Sequence, residues 1–354
     1  MMKNQRALVG LSTLLGCVVI PLVAHSYAGA QAGQDKPPTP PRGLPPVIWP
    51  DDNPYSKAKA ELGLLLYFDK RLSSDNSVAC ASCHAPEKGY TDGAPVSTGI
   101  KSQKGGRSAP TVINRAYSLF QFWDGRAATL EEQAKGPVAN SIEMTLEPNA
   151  DAAHRALVAK IGAIRGYQPL FRSAFGSPTV DMDRIAKAIA TYERTVLSGD
   201  SPFDRYQDGD KKAMNESQIN GMKVFYGKAA CDACHLGFNF TDGSYVNVGV
   251  GWDKPNPDPG RFNVSKRKED TGAFKTPTLR EIALTAPYMH DGSLATLEAV
   301  VEHYDKGGIK NPYLDQRMKP LKLTVQEKTD LVSFLKALSG RGWQHIKAPT
   351  SFPK

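Results

Sequence analysis

The sequence predicts a mainly α-helical fold with long loops, built from two related halves. Apolar side chains recur at helical spacing in MDRIAKAIATYERTVLSG, residues 182–199, and Gly199 marks the expected end of that helix. Near the C-terminus, Thr324 and Glu327 form a capping box ahead of another apolar helical face. A glycine opens an apolar, aromatic segment twice, in GLLLYF and in GMKVFY. Because no long stretch alternates apolar and polar residues, we expect little β-structure.

Residues 1–30 have the pattern of a cleaved export signal. Lys3 and Arg6 precede an apolar stretch, residues 7–24, and a small-x-small site, Ala-Gly-Ala, ends the segment. The alternative is a membrane anchor, but Pro21 interrupts the stretch and the cleavage pattern follows at once. We therefore expect a signal peptide over residues 1–30 and a periplasmic protein that does not span the membrane after its removal.

The rest of the chain divides into a linker and two domains. Residues 31–53 are expected to form a proline-rich N-terminal linker, because KPPTPPRGLPPVIWP cannot hold a helix. An N-terminal domain is then expected over residues 54–200 and a C-terminal domain over residues 201–354. The boundary lies there because GDSPFDRYQDGD, residues 199–210, interrupts the helical pattern.

Charge and cysteine content narrow the classes of function. The chain carries a net charge of +8, and loss of residues 1–30 leaves 42 basic against 36 acidic residues, or +6. The basic residues are scattered along the chain and not gathered on one element, which argues against nucleic-acid binding. Of the five cysteines, Cys17 lies in the signal and the other four lie in two matching motifs. The mature chain therefore has no thiol for a structural disulfide.

Each half contains one Cys-x-x-Cys-His motif, the first in ACASCHAPEKGYTDG and the second in ACDACHLGFNFTDG. The motif residues are Cys80, Cys83 and His84 in the first, and Cys231, Cys234 and His235 in the second. In this motif both thiols bond to a porphyrin and the histidine ligates the iron. The sequence thus predicts two cytochrome c-like domains that each bind one c-type haem covalently, with the two histidines as proximal ligands.

Two other chemistries use Cys-x-x-Cys. A four-cysteine zinc site needs its pairs about 15–20 residues apart, whereas Cys83 and Cys231 are far apart in this sequence. A thioredoxin-like redox pair does not require a histidine directly after its second cysteine. Covalent haem is therefore the interpretation that accounts for the whole of both motifs.

The far side of each iron decides between an electron carrier and an enzyme. No histidine or methionine occurs between Pro86 and Asn114, which favours an open position on the first iron where a small molecule binds. In the second half, helical spacing in LATLEAVVEHYDKGG puts Tyr304 on the apolar face and turns His303 about 100° away. On periodicity alone, Tyr304 is either a ligand of the second iron or a buried core residue.

The chain resembles the bacterial dihaem cytochrome c peroxidases, and within them the MauG-like branch. The resemblance covers residues 55–342. It rests on the blocks LGLLLYFDKRLS, CASCH, APTVIN, QFWDGRAATLEEQAKGPVANSIEM, CDACH, FKTPTLREIALTAPYMHDG and VVEHYDKG. Several of these blocks are long, which makes the resemblance specific.

The resemblance implies roles for particular residues. Trp123 falls where the family places a tryptophan between the haems. Gln133, Pro137 and Glu143 fall in the distal pocket of the first haem, where the glutamate moves protons during peroxide cleavage. Tyr304 falls where conventional members have an axial methionine and the MauG-like branch has a tyrosine. The resemblance thus makes Tyr304 a ligand of the second iron.

Some positions depart from the patterns of the family. Ile100 stands where conventional peroxidases carry a histidine that closes the first iron until the enzyme is reduced, so no such gate is expected here. Ala229 stands where MauG has the surface tryptophan that oxidises its protein substrate. The family also holds calcium with an asparagine and with threonine and proline carbonyls. Thr285 and Pro287 match that set, whereas Ser108 replaces the asparagine.

The resemblance implies a periplasmic oxidoreductase that reacts with hydrogen peroxide at an open haem. It would share oxidising equivalents with a second, tyrosine-ligated haem and oxidise a protein or a redox partner. The first alternative is a conventional peroxidase that reduces peroxide to water with electrons from a small cytochrome c or a cupredoxin. The second alternative is a dihaem electron carrier without enzymatic activity, which would close both irons.

Overall fold

The computed structural model describes residues 35–354, and the expected signal peptide over residues 1–30 lies outside them. The α-helices of the described part are α1 Lys57–Phe68, α2 Cys80–Cys83, α3 Leu130–Val138, α4 Ala150–Gly162, α5 Tyr167–Phe175, α6 Met182–Glu193, α7 Pro202–Gln207, α8 Glu216–Tyr226, α9 Phe262–Ser265, α10 Leu297–Asp305 and α11 Val325–Lys336. Strand β1, Tyr245–Val246, pairs antiparallel with β2, Phe274–Lys275. The prediction of a mainly α fold with long loops is confirmed.

The glycine that opens each repeated segment is the point where two helices cross. A Cβ on Gly63 of α1 would lie 1.9 Å from the Ala188 carbonyl oxygen of α6. A Cβ on Gly221 of α8 would lie 1.8 Å from the Asp330 carbonyl oxygen of α11. Only glycine permits backbones to approach this closely. The same crossing therefore builds the helix pair beside each Cys-x-x-Cys-His motif.

Each helix pair belongs to its own hydrophobic core. The first core lies among α1, α3, α4, α5 and α6, and its fully buried members include Leu62, Leu66, Ile161, Phe171 and Ile185. The second core lies among α8, α10 and α11, and includes Phe225, Phe240, Leu297, Val301 and Phe334. Residues 35–354 nevertheless form one compact unit, and the domain boundary at residue 200 stays a prediction.

Helix α6 is shorter than its apolar pattern suggests. The sequence predicts a helix that ends at Gly199, but the helix ends at Glu193. The chain leaves the helix because it pairs with the loop around Asn114. The Asn114 amide donates to the Val196 carbonyl at 2.9 Å, and the Ser198 amide donates to the Asn114 side chain at 2.9 Å.

A short helix, α7, occupies the stretch that was expected to break the helical pattern. Ser201 and Asp204 form a reciprocal capping box, and Pro202 takes the first helical position. These start signals are present in GDSPFDRYQDGD, and the helical pattern is still interrupted between Glu193 and Pro202. The predicted capping box of Thr324 and Glu327 at α11 is confirmed.

The proline-rich segment forms neither helix nor strand between residues 35 and 53, as its composition requires. It is held against the rest of the protein. The Arg42 carbonyl accepts a hydrogen bond from the Asp200 amide at 2.7 Å, and the Pro45 carbonyl accepts one from the Tyr117 hydroxyl at 2.8 Å. Within residues 35–354, none of the helices has the length and apolar character that a membrane crossing requires.

Candidate functional site

Each Cys-x-x-Cys-His motif folds as a single tight turn. In both copies the histidine amide donates to the carbonyl of the first cysteine, at 3.0 Å for His84 and 2.9 Å for His235. Two thiols and an imidazole therefore leave the backbone together. Burial raises the pKa of Cys83 to about 11 and that of Cys231 to about 12. These apolar surroundings suit the thioether bond that each cysteine would form with a porphyrin, because a thioether carries no charge.

The two histidines are oriented in the same way. The Nδ1 atom of His84 lies 3.2 Å from the Tyr90 carbonyl oxygen, and that of His235 lies 2.9 Å from the Phe240 carbonyl oxygen. These contacts make Nδ1 the protonated nitrogen and leave Nε2 available to a metal. Burial lowers the pKa of both rings, which favours the neutral form that binds iron.

The predicted distal residues of the first haem follow one another along α3 and the turn after it. Gln133 and Pro137 are half-buried and lie one turn apart on one face of α3. Glu143 lies in the turn that follows. The Ile100 amide donates to the Glu143 carbonyl at 3.0 Å, and the Ile100 side chain is fully buried. This hydrogen bond connects the loop of residues 86–114, which contains no histidine, directly to Glu143, the predicted proton carrier.

Glu143 is a perturbed carboxyl group beside the first motif. Burial raises its pKa, although Arg126 and a 2.8 Å hydrogen bond from Asn140 act in the opposite direction. Its charge in turn raises the pKa of both Cys80 and Cys83, which places it near their thiols. A buried carboxyl group with a raised pKa can hold a proton and release it during a reaction.

A largely apolar cavity lies against the second motif. Its lining includes Cys231, Cys234, His235, Val301 and Tyr304. The helical phase expected for α10 holds, because His303 points away and its Nε2 lies 2.9 Å from the Val248 carbonyl oxygen. Met289, His290 and Met318 also line the cavity, and the sequence interpretation did not consider Met318.

The same cavity extends to residues of the first half. Trp123 lines it, and its Nε1 donates to the Ser108 carbonyl at 2.8 Å. Thr91 and Arg115 also line it. Trp123 therefore contacts the cavity of the second motif, although it belongs to the first half of the chain and lies ahead of α3. Whether the indole relays charge between the haems stays a prediction.

Two buried cations in this cavity have no carboxylate within ion-pair distance in the described part of the chain. Lys275 is 6% exposed and Arg115 is 9% exposed. Neither side chain forms an ion pair within residues 35–354, and burial lowers the pKa of Lys275 and brings that of Arg115 to about 10. A buried charge is costly unless an opposite charge compensates it. Haem propionates are anions that would do so, and the cavity thus fits the cofactor. Sequence reasoning missed both residues.

The three predicted calcium ligands line the same cavity. Ser108, Thr285 and Pro287 line the cavity that also contains Trp123. Within the described residues, no cluster of three His, Cys, Asp or Glu side chains offers a metal site. A calcium ion here would depend on carbonyl oxygens, and calcium stays a prediction.

Comparisons with known proteins agree with this architecture. Residues 57–212 match the family described as di-haem cytochrome c peroxidase. The chain is 41% identical to the methylamine utilization protein MauG of Methylorubrum extorquens over 82% of this chain and 81% of that protein. It is 39% identical to cytochrome c551 peroxidase of Nitrosomonas europaea, over 81% of each chain.

Among solved structures, the fold is similar to that of a MauG-like protein associated with microbial copper homeostasis. The TM-score is 0.79 at 34% sequence identity, over 86% of this chain and 95% of the other. Family members named MauG and members named as peroxidases match this chain to nearly the same degree. The chain belongs to the di-haem cytochrome c peroxidase family.

Proposed function

We propose that this protein is a periplasmic enzyme that uses hydrogen peroxide at its first haem to oxidise a protein or redox partner, in the manner of the MauG-like branch. The observation that carries the proposal is the distal side of the second motif. Tyr304 faces the cavity of Cys231 and Cys234, whereas His303 is turned to a backbone carbonyl. A phenol oxygen is a harder ligand than a thioether and favours higher iron oxidation states.

The residues predicted to lie at the first iron support peroxide binding without prior reduction. Ile100 is fully buried next to Glu143 and cannot ligate iron. No histidine or methionine occurs elsewhere in the loop from residue 86 to residue 114. The first iron would then keep one position open to peroxide in the resting enzyme.

In this proposal, the protein supplies proton handling and orientation. When bound by the two motifs, the haems would supply an iron that reacts with peroxide and a second redox centre. Glu143 would take a proton from one peroxide oxygen and deliver it to the other, which leaves as water. Asn140 holds the Glu143 carboxyl at 2.8 Å, and Gln133 orients the peroxide from the same face as Pro137.

Trp123 would carry charge between the two haem sites. Its ring lines the second cavity, and its carbonyl accepts a hydrogen bond from the Lys275 amide at 2.8 Å. Lys275 would in turn hold a propionate. The Ser108 carbonyl thus holds the indole and the Lys275 amide holds the Trp123 backbone, which suits a relay whose geometry should not change during turnover.

One observation favours the conventional peroxidase as a second candidate. Met289 and Met318 line the same cavity as Tyr304, so a thioether is available as an axial ligand. With a methionine ligand, the second haem would accept electrons from a small cytochrome c or a cupredoxin and peroxide would be reduced to water. An electron carrier without catalysis would instead require a ligand on the first iron.

The location and the calcium ion belong to the same proposal. The pattern of residues 1–30 supports export to the periplasm, where covalent haem attachment and a periplasmic partner are available. The shared cavity of Ser108, Thr285 and Pro287 supports a calcium ion that braces the two haem sites.

The experiment is to add hydrogen peroxide to the diferric, haem-loaded protein and to record absorption and EPR spectra with and without reductants. We expect one high-spin and one low-spin ferric haem at rest, and a reaction that needs no prior reduction. Two low-spin, six-coordinate haems at rest would contradict the open first site. A reaction that occurs only after one-electron reduction would favour the conventional peroxidase.

A further inference from the structure

Trp343 does not line the cavity of the second motif, and its indole contacts a buried carboxyl group. Its segment follows α11, with Arg341 and Gln344 exposed on either side of a ring that is 7% exposed. The indole Nε1 donates to the Oε1 atom of Glu281 at 3.3 Å. Glu281 itself is 1% exposed, so an indole N–H and a carboxyl group meet just beneath the surface.

The surroundings of Glu281 identify it as an acceptor. Its Oε1 atom accepts hydrogen bonds from the Ser198 hydroxyl, from the Gly340 amide at 2.8 Å and from Trp343. Three donors therefore converge on this one oxygen, which acts as a hydrogen-bond acceptor towards all of them. No lysine or arginine forms an ion pair with Glu281 in the described part of the chain.

Trp343 differs in this respect from the other tryptophans. The Trp123 indole donates to a carbonyl oxygen, which cannot take up a proton. The Trp252 indole N–H is buried without a partner. Among the tryptophans that the structure describes, Trp343 alone has its N–H directed at a carboxyl group.

A short aromatic contact connects Trp343 to the first haem motif. The rings of Tyr90 and Trp343 meet edge to face with centroids 5.9 Å apart. Tyr90 is fully buried, and its carbonyl oxygen accepts the Nδ1 proton of His84. The hydroxyl of Tyr90 also bonds that of Tyr192 at 2.9 Å. The path from the proximal histidine to Glu281 therefore contains one aromatic step.

We propose that Trp343 is a redox-active residue that gives one electron to the first haem site and its indole proton to Glu281. The inference rests on the proposed function, because peroxide supplies the oxidising equivalent. The electron leaves through Tyr90 as the proton moves from Nε1 to Oε1 of Glu281. The product is a neutral indolyl radical beside a protonated carboxyl group. One electron from the protein substrate or redox partner, and the proton returning from Glu281, restore the tryptophan.

This assignment gives the oxidising equivalents an outlet just beneath the surface, where Trp343 packs in the first hydrophobic core. An oxidised indole is a far stronger acid than a neutral one, so a carboxylate in contact with its N–H stabilises the oxidised state by taking the proton. Tyr90 alone lacks such a base, because its hydroxyl faces another phenol. The radical is therefore expected to settle on Trp343.

The test is freeze-quench EPR of the haem-loaded protein after addition of peroxide, with ring-deuterated tryptophan to identify the radical. The wild-type protein should give a tryptophanyl signal, Trp343→Phe should lose it, and Trp252→Phe should retain it as the matched control. Glu281→Gln keeps an acceptor oxygen for all three donors but removes the base. It should slow formation of the radical by about 10²-fold, the usual contribution of a positioned base.

A second arm separates this inference from the proposed function. A photo-excited ruthenium oxidant, with no peroxide present, should generate the neutral indolyl absorption in wild type and Trp252→Phe but not in Trp343→Phe. If peroxide has no effect but this absorption forms, the proposed function fails and the redox role of Trp343 stands. If peroxide reacts normally and the radical signal persists in Trp343→Phe, or photo-oxidation gives equal signals in Trp343→Phe and wild type, the inference is overturned.

Discussion

The two halves of the molecule are alike on the proximal side of their haem motifs and differ on the distal side. Both place a glycine at a helix crossing, Gly63 and Gly221, and both hold the histidine Nδ1 on a backbone carbonyl a few residues ahead. On the distal side, the proposal assigns a carboxyl group, Glu143, to the first half and a phenol, Tyr304, to the second.

This comparison separates the residues that bind a haem from the residues that determine what the haem does. The shared proximal construction fixes two thiols and one imidazole, and nothing in it distinguishes a peroxidase from a carrier. The distal residues make that distinction, because they decide whether the iron is open and which oxidation states it reaches. Predictions that alter one distal side while leaving the other intact therefore test the proposal most directly.

The largest effect is expected at the first distal side. Glu143→Gln keeps the side-chain shape and removes the proton carrier, so peroxide cleavage should slow by about 10²–10⁴-fold while both haems stay attached. Stopped-flow absorption at saturating peroxide measures the rate. Glu147→Gln, four residues further along, is the matched control and should react like wild type. A rate for Glu143→Gln within a few-fold of wild type would assign the proton to another group.

A change at the second distal side should alter the potential while leaving peroxide binding intact. If the Tyr304 oxygen binds the second iron, Tyr304→Met should raise that reduction potential by on the order of 10² mV, because a thioether favours ferrous iron. Spectroelectrochemical titration resolves the two haems. Tyr288→Phe, which changes a phenol of the same cavity whose hydroxyl donates to the Ile282 carbonyl, should leave the potential nearly unchanged.

The outcome for Tyr304 also decides between the candidate ligands. An unchanged spectrum and potential in Tyr304→Met would make Tyr304 an ordinary cavity residue. Met289, His290 and Met318 would then be the ligands to substitute, since all three line the cavity. His303 would come last, because its ring is already committed to the Val248 carbonyl.

The shared construction is tested by the two glycines. Gly63→Ala and Gly221→Ala should each lower the free energy of unfolding by about 1–3 kcal/mol, because the new methyl groups meet backbone carbonyls. Gly162→Ala at the end of α4, where the nearest side chain is 3.8 Å away, is the control and should be neutral or slightly stabilising. Urea unfolding measures all three. A loss at only one glycine would show that the two crossings are not equivalent.

The sequence was sufficient for features that depend on local spacing. The haem motifs, the capping box at Thr324 and the orientation of Tyr304 relative to His303 all follow from the positions of residues within one or two turns. Helix α6 shows the limit of such reasoning. Its apolar pattern continues to Val196 and Leu197, but a tertiary hydrogen bond to Asn114 draws the chain out of the helix.

Residues that matter through distant contacts could not be found in this way. Lys275 and Arg115 are unremarkable in the sequence and become significant only because folding buries both without a carboxylate at ion-pair distance among the described residues. Glu281 and Trp343 are 62 residues apart, and nothing in their local sequence indicates that they touch. A buried charge or a proton acceptor is a property of its surroundings, and those surroundings come from other parts of the chain.

The last comparison concerns a buried carboxyl group in each half, with opposite dependence on pH. Burial raises the pKa of Glu193 in the first half to about 8, against the influence of Arg115 and Arg194. In the second half, burial of Asp204 is outweighed by the Arg280 guanidinium, which bonds both carboxyl oxygens at 2.8 Å and leaves the pKa lowered.

The signs follow from proton binding in the two states. Folded Glu193 binds its proton more tightly than unfolded glutamate does, so its contribution is complete below about pH 4.5 and is lost as pH rises to about 8. The contribution of Asp204 is present above its ordinary pKa of 3.8 and is lost as pH falls below that value. In the wild-type protein, the free energy of unfolding should decline by at most about 1.4 kcal/mol per pH unit between these limits. Urea unfolding of Glu193→Gln should show that this decline is gone. Asp204→Asn should instead remove a loss of stability that the wild-type protein shows only at acidic pH. A decline above pH 4.5 that survives in Glu193→Gln would show that another group in the first half binds the proton.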